Sequence, residues 1–310
     1  MKDFLGLADL SPGQFRGLLV LARSLKDGTA AGDPWRLLAG QVLAMLFMKP
    51  SLRTRVSFDV AMLQLGGHAL YLSPAEVGLG QRESVPDVAR VLARYVDGIM
   101  ARVFAHQDIV DLATHADVPV INGLSDHCHP CQALADFLTL LEVRGELAGT
   151  RLAYFGDGNN VAHSLLVGGA LSGMTVTVVH PPGYAPDAAV VDWAATLAEG
   201  TGGRIDATTD LAAGEGADVL YTDVWASMGQ EAEAPARRAV FEPYQLNERL
   251  LARAAPDCVI LHCLPAHRGD EITDALIDGP RSRVFDQAEN RLHAQKAVLA
   301  WLMGGVELPT

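Results

Sequence analysis

Six short stretches carry residue types suited to chemistry. The first is Lys49-Pro50-Ser51-Leu52-Arg53-Thr54-Arg55, set between an apolar run and a helical pattern that is clear from Val56. Backbone N–H groups at a helix N-terminus attract anions. Ser51 and Thr54 add hydroxyl donors, and the two arginines add charge with bidentate geometry. The combination suits a phosphate held without the glycine-rich loop of a nucleotide site. It also describes a capped helix with surface arginines. The second stretch, His129-Pro130-Cys131-Gln132, opens a helix behind an apolar run that ends near Asn122. His129 can bond a carbonyl or phosphate oxygen there, with Gln132 donating or accepting beside it. The plainer reading is a helix cap and a solvated amide. Cys128 and Cys131 also form a C-x-x-C pair, which raises metal or redox chemistry. His262, Cys263 and His267 are the further ligands a zinc site would need.

The third stretch is Phe155-Gly156-Asp157-Gly158-Asn159-Asn160. It has G-x-G but no third glycine, and the next apolar run ends in His180-Pro181-Pro182 with no acid for a ribose. A dinucleotide is not expected. The asparagines suit amide contacts to a polar ligand, or simply a turn. The fourth, Asp223-Val224-Trp225-Ala226-Ser227-Met228-Gly229, offers a carboxylate for an ammonium group. Ser227 and the Met228 backbone can bind polar groups, and Gly229 lets the loop move. An ordinary loop with Trp225 in the core fits too. The fifth is His262-Cys263-Leu264-Pro265-Ala266-His267. A nucleophilic thiol needs a base and an orienting group, and neighbours on an extended chain face opposite sides. Cys263 is therefore read as a contact residue. The sixth, Asn290-Arg291-Leu292-His293, lies early in the last helix. Arg291 could reach back to an anion or lie on the surface.

The elements that position these stretches alternate between strand and helix. Apolar, β-branched runs predict strands at 42–47, 69–72, 98–103, 118–121, 151–155, 175–180, 204–207, 219–222 and 258–261. Long helices are predicted at 130–142 and 287–303. Such alternation implies parallel sheets covered on both faces. The expected fold class is α/β, with two doubly wound parallel-sheet domains and an interdomain active-site cleft at the C-terminal strand ends. The break near 143–150 assigns residues 1–144 to one domain and 145–286 to the other, with the helix at 287–305 packing back onto the first. A length of 310 residues agrees with two domains. Hydrophobic residues at 49% and charged residues at 20% exclude a disordered or fibrous chain. With 24 basic and 37 acidic side chains the net charge is −13, which disfavours nucleic acid and anionic membrane surfaces. A local arginine cluster can still hold a small anion. No apolar run is long enough to span a membrane, and the first residues lack a signal pattern, so a cytoplasmic location is expected. The 4 cysteines are expected to be free thiols.

In their order along nearly the whole chain, these motifs resemble those of the aspartate/ornithine carbamoyltransferase superfamily, most closely its ornithine-specific branch. Ser51-Leu52-Arg53-Thr54-Arg55 looks like the family's carbamoyl-phosphate loop. Arg102, His129, Gln132 and Arg291 match its other carbamoyl-phosphate contacts, and Cys263 and Leu264 match its His-Cys-Leu-Pro loop, which also touches that substrate. Asn160, Asp223, Ser227 and Met228 match its ornithine contacts. The resemblance implies transfer of a carbamoyl group from carbamoyl phosphate to the δ-amine of L-ornithine, giving citrulline and phosphate in arginine metabolism. It implies Arg102, His129, Cys263 and Arg291 as the catalytic contacts, no metal, no cofactor, and a homotrimer or multiple of trimers. Two positions depart from the family pattern. Leu52 replaces the usual Thr, which removes a hydroxyl but leaves the backbone N–H. Gly78 stands where the family often has a Gln or His that reaches a neighbouring subunit's site, and Arg82 in the same loop is a candidate substitute.

Overall fold

The computed structural model describes residues 2–32, 35–227, 229 and 231–309. The chain divides into two compact units. The first runs through Leu138 and is rejoined by the chain from Asn290 onward, and the second is Thr139–Glu289. In the first unit four parallel strands, β1 (Val42–Phe47), β2 (His68–Leu72), β3 (Gly98–Arg102) and β4 (Val120–Leu124), lie in the order β2-β1-β3-β4. The central strands β1 and β3 are apolar without alternation and almost wholly buried, as a sheet covered on both faces demands. Leu46, Ile99, Val120 and, from flanking helices, Val88 and Leu112 form a core on one face.

The second unit holds five parallel strands, β5 (Arg151–Phe155), β6 (Thr175–Val179), β7 (Arg204–Thr208), β8 (Val219–Thr222) and β9 (Val259–His262), in the order β7-β6-β5-β8-β9. Phe155, Leu220, Ile260, Ile272 and Leu276 pack in its core. Strand order reverses between β1 and β3 in the first sheet and between β5 and β8 in the second. In open α/β sheets, ligands bind beyond the carboxyl ends of the strands at such a reversal.

Three elements differ from expectation by three residues or more at one end. The strand expected at 118–121 is Val120–Leu124. Pro119 has no N–H to give to a ladder, and it contributes only its carbonyl, which accepts from Ile99 N. Gly123 then lets the strand continue, because a Cβ there would lie 2.5 Å from Met100 Sδ. The pairing shifts register opposite it, between Ala101 and Arg102, and such bulges re-aim the side chains beside them. The last helix is Val284–Leu302, starting where Ser282 Oγ accepts from Val284 N. The helix expected from Val56 begins four residues earlier, as Leu52–Gln64. Among the described residues no helix is long and apolar enough to cross a membrane.

Candidate active site

The first cluster forms beyond β1 and β3, at the reversal of the first sheet. Ser51 caps the helix Leu52–Gln64, its Oγ accepting from Thr54 N at 3.2 Å and lying 3.1 Å from Thr54 Oγ1. The early helix start puts Leu52, Arg53 and Thr54 in the first turn, where N–H groups have no intrahelical partner. Thr54 is buried, whereas the Leu52 side chain is 75% exposed. Arg291, buried on the last helix, donates from Nη2 to Thr54 Oγ1 at 3.1 Å and from Nη1 to Gln132 Oε1 at 2.7 Å. Gln132 Nε2 in turn donates to Asp136 Oδ1 at 2.8 Å. Arg102 ends β3 and is buried too. Burial, with the Arg291, Arg102 and Arg53 guanidiniums nearby, pushes the pKa of His129 well below the usual imidazole range. His129 is therefore a neutral hydrogen-bonding group at pH 7.

Sequence reasoning counted both arginines of the first stretch, but Arg55 is engaged elsewhere, its guanidinium 4.0 Å from the centre of the Tyr71 ring. It named Lys49 in that stretch without giving it a role, and the Lys49 ammonium sits 4.2 Å from the Phe104 ring centre. Burial and the Arg102 charge lower the pKa of Lys49, so a further cation stands at the edge of this cluster. The C-x-x-C pair serves the first unit's core. Cys128 Sγ donates to Leu5 O and Cys131 Sγ to Asn122 O, each at 3.4 Å. Burial pushes both thiols up to about 12, which keeps them protonated and poor metal ligands.

The second cluster lies beyond β5, β8 and β9. Asn159 caps the helix Asn160–Ser172 with its Oδ1, and its Nδ2 donates to Asp223 Oδ2 at 2.9 Å. Asp223 Oδ1 accepts from Val224 N at 2.8 Å and from Cys263 Sγ at 2.9 Å. The thiol of Cys263 is thus a donor to the Asp223 side chain. Asn160 and Ser227 are half-buried beside these loops, and Met228 lies outside the described residues. His262 Nδ1 accepts from Leu264 N at 2.8 Å, and Nε2 stands 3.0 Å from Glu271 Oε1. These bonds select the tautomer with its proton on Nε2. Asp223, His262 and Cys263 each offer a ligand atom within 4.8 Å of the others, but both ring nitrogens of His262 are already engaged. Leu264 takes the left-handed φ of +55°, which costs a leucine about 1 kcal/mol. Strain of this kind gathers at functional loops.

Two features of this cluster escaped the sequence reading. The hold of Asn159 on Asp223 is one, since the sequence offered Asn159 only with Asn160 as an amide contact to a ligand, and its place just before a helix was the available signal. Arg237, on the helix Ala234–Phe241, is buried and donates to Asp157 Oδ2 at 2.7 Å, Glu233 Oε2 at 2.9 Å and Trp225 O at 3.0 Å. It thereby ties the loop after β5 to the loop after β8. Nothing in its local sequence announces this.

Both units have known counterparts. Residues 2–142 match the carbamoyl-P binding domain of aspartate/ornithine carbamoyltransferases, and residues 148–302 match their Asp/Orn binding domain. The chain belongs to the aspartate/ornithine carbamoyltransferase family. An ornithine carbamoyltransferase of Pyrococcus abyssi is 56% identical over 307 residues, which is 99% of this chain and 97% of that one. The solved ornithine carbamoyltransferase from Pyrococcus furiosus superposes with a TM-score of 0.96 at 55% identity, covering 99% of this chain and 98% of that one. The one from Gloeobacter violaceus gives 0.88 at 51% identity, covering 98% and 99%. In this carbamoyltransferase, Gly78 has φ +56°, and a Cβ there would lie 2.7 Å from Arg82 Cβ. Arg82 Nη1 reaches Glu76 O at 3.4 Å. Glycine at 78 is therefore required by its positive φ and by the close approach of the residue 82 side chain, whatever that residue is.

Proposed function

We propose that the chain transfers the carbamoyl group of carbamoyl phosphate to the δ-amine of L-ornithine, giving L-citrulline and phosphate. One observation carries the reading. The sheet reversal of the first unit holds buried arginines around a neutral histidine, and that of the second holds a carboxylate already organised by Asn159 and Cys263. The first suits an acyl phosphate and the second an ammonium group. The names of the relatives support ornithine as the acceptor.

In this reading the phosphate sits on Ser51, the Leu52 N–H, Arg53, Thr54 and Arg102. His129 and Arg291 donate to the carbonyl oxygen, which gains charge as the carbon becomes tetrahedral. A single preorganised donor of this sort is worth about 10²–10³ in rate. Gln132 Oε1 accepts from the carbamoyl –NH₂, and Cys263 and Leu264 line the same substrate. The α-ammonium of ornithine pairs with Asp223, while Asn160, Ser227 and the Met228 backbone take its α-carboxylate. The δ-amine attacks only when neutral. With a free pKa of about 10.4, roughly one molecule in 2,500 is neutral at pH 7, and nearby arginines favour that form. The N–C bond forms, the C–O bond to phosphate breaks, and the departing phosphate takes the amine proton. Carbamoyl phosphate is thus assigned to residues 1–144 with 287–305, and ornithine to 145–286. Family resemblance supports a cytoplasmic homotrimer.

The test is citrulline formation from carbamoyl phosphate and L-ornithine, with aspartate, N-acetylornithine and putrescine run in parallel. Turnover with ornithine alone is expected. Turnover with another acceptor in its place would overturn the reading of the stretch from Asp223 to Gly229.

A further inference from the structure

Asp136 is a fully buried carboxylate to which the reaction above gives no part. It lies on the helix Pro130–Arg144, one turn beyond Gln132. Its Oδ1 accepts from Gln132 Nε2 at 2.8 Å, and Gln132 Oε1 accepts from Arg291 Nη1 at 2.7 Å. The amide of Gln132 is therefore clamped between a carboxylate and a guanidinium. The carboxylate only accepts and the guanidinium only donates. Turning the amide over would set Nε2 against the arginine N–H groups and Oε1 against the Asp136 oxygen. Two charge-assisted hydrogen bonds would become two repulsions in a buried, low-dielectric place. Asp136 thus fixes which end of Gln132 faces Arg291, and with it the acceptor lone pair left over on Oε1.

We propose that Asp136 is a positioning residue that makes the site select an acyl phosphate bearing –NH₂ over one bearing –CH₃. The inference rests on the assignment of this cluster to carbamoyl phosphate. Carbamoyl and acetyl phosphate have nearly the same shape, so packing alone separates them poorly. A fixed acceptor separates them well, because the –NH₂ group donates to Gln132 Oε1 while a methyl group leaves that buried atom unanswered. The same chain of bonds continues from Arg291 to Thr54 Oγ1.

The test compares Asp136→Leu and Asp136→Asn with the unmodified protein at saturating ornithine. Three quantities are read: KM for carbamoyl phosphate, and the inhibition constants of acetyl phosphate and inorganic phosphate. Asp136→Leu is expected to raise KM for carbamoyl phosphate by about 30–100-fold. Both inhibition constants should move by less than about threefold, because neither inhibitor uses the Gln132 acceptor. Asparagine can still present an oxygen to Gln132 Nε2, so Asp136→Asn should raise KM by only about tenfold or less. It carries the test if the leucine variant does not fold. A parallel rise in all three constants, or an unchanged KM, overturns the inference and leaves the carbamoyl-transfer reading intact. Absence of carbamoyl-phosphate turnover in the unmodified protein would remove both.

Discussion

Replacing Arg237 with glutamine takes away the cation that faces Asp157. The two side chains are 8% and 16% exposed and meet at 2.7 Å. Burial raises the pKa of Asp157, and the Arg237 hydrogen bond and charge oppose that rise. Removing one partner of a buried ion pair costs about 3–5 kcal/mol. This pair keeps some solvent contact, so we expect a loss of about 3 kcal/mol for Arg237→Gln. The contact to Glu233, which is 60% exposed, adds little. Urea unfolding at neutral pH measures the loss, and its pH dependence tests the cause. A carboxyl group whose pKa is raised by folding destabilises the folded state above that pKa, and the penalty fades as pH falls toward the unfolded value of 3.8. Without Arg237 the rise is larger, so the gap between variant and parent should narrow on acidification from pH 7 to pH 4. Asp157→Asn should cost stability in the parent and restore about 2 kcal/mol in the Arg237→Gln background. If the second substitution restores nothing and the gap ignores pH, the ion-pair argument is wrong. The loss would then belong to the lost stacking on Tyr184, whose ring centre is 4.9 Å from the guanidinium. Because Arg237 joins the loops after β5 and β8, KM for ornithine should rise while KM for carbamoyl phosphate stays put.

Gly158→Ala should destabilise by about 2–3 kcal/mol and raise KM for ornithine, because its Cβ would lie 2.1 Å from Pro186 N and 2.4 Å from Ala185 C, both backbone atoms. An unchanged melting temperature would contradict this. Burial pushes Lys296 from 10.5 down to about 8, so between those values the unfolded chain binds more protons and stability from this group rises with pH. Lys296→Met should lose that rise, and parallel Tm–pH curves for the two proteins would count against it. Cys128, Cys131 and Cys258 are buried with thiols pushed up to about 12, while Cys263 is partly exposed. Iodoacetamide at pH 8 followed by peptide mass spectrometry should find label at Cys263, and rapid labelling of Cys128 or Cys131 in the native protein would refute their assigned core role.

The strand pattern was legible because most strands are short apolar runs covered on both faces and set off by polar turns, while the edge strands β2 and β7 are mixed and partly exposed. The end of β4 was not, because Asn122-Gly123 has the composition of a turn, and only the Met100 side chain from the neighbouring strand explains a glycine there. The candidate site was legible where a motif is local, as at Ser51 to Thr54. Partners far apart in sequence were invisible. Arg291 and Gln132 are 159 residues apart, and Arg237 and Asp157 are 80. Asp136 lies one helical turn from Gln132, a local pair, and only the hold of Arg291 on the far side of that amide needed the fold.

The first unit is completed by chain that is translated after the whole of the second. Its arginine cluster draws Arg291 from the final helix, and the buried ammonium of Lys296 from the same helix bonds Thr29 Oγ1 and Gln64 Oε1. Between those early residues and their late partners comes the entire second unit, Thr139–Glu289. At about 5–20 residues per second, a ribosome needs roughly 8–30 s to make that insert. Through this interval the second unit can fold as one continuous stretch, while the first waits with an open seam where the final helix will lie. A nascent chain or a fragment ending before Asn290 therefore carries every other residue of the anion site without Arg291, and anion affinity would serve as a reporter that synthesis has passed this helix.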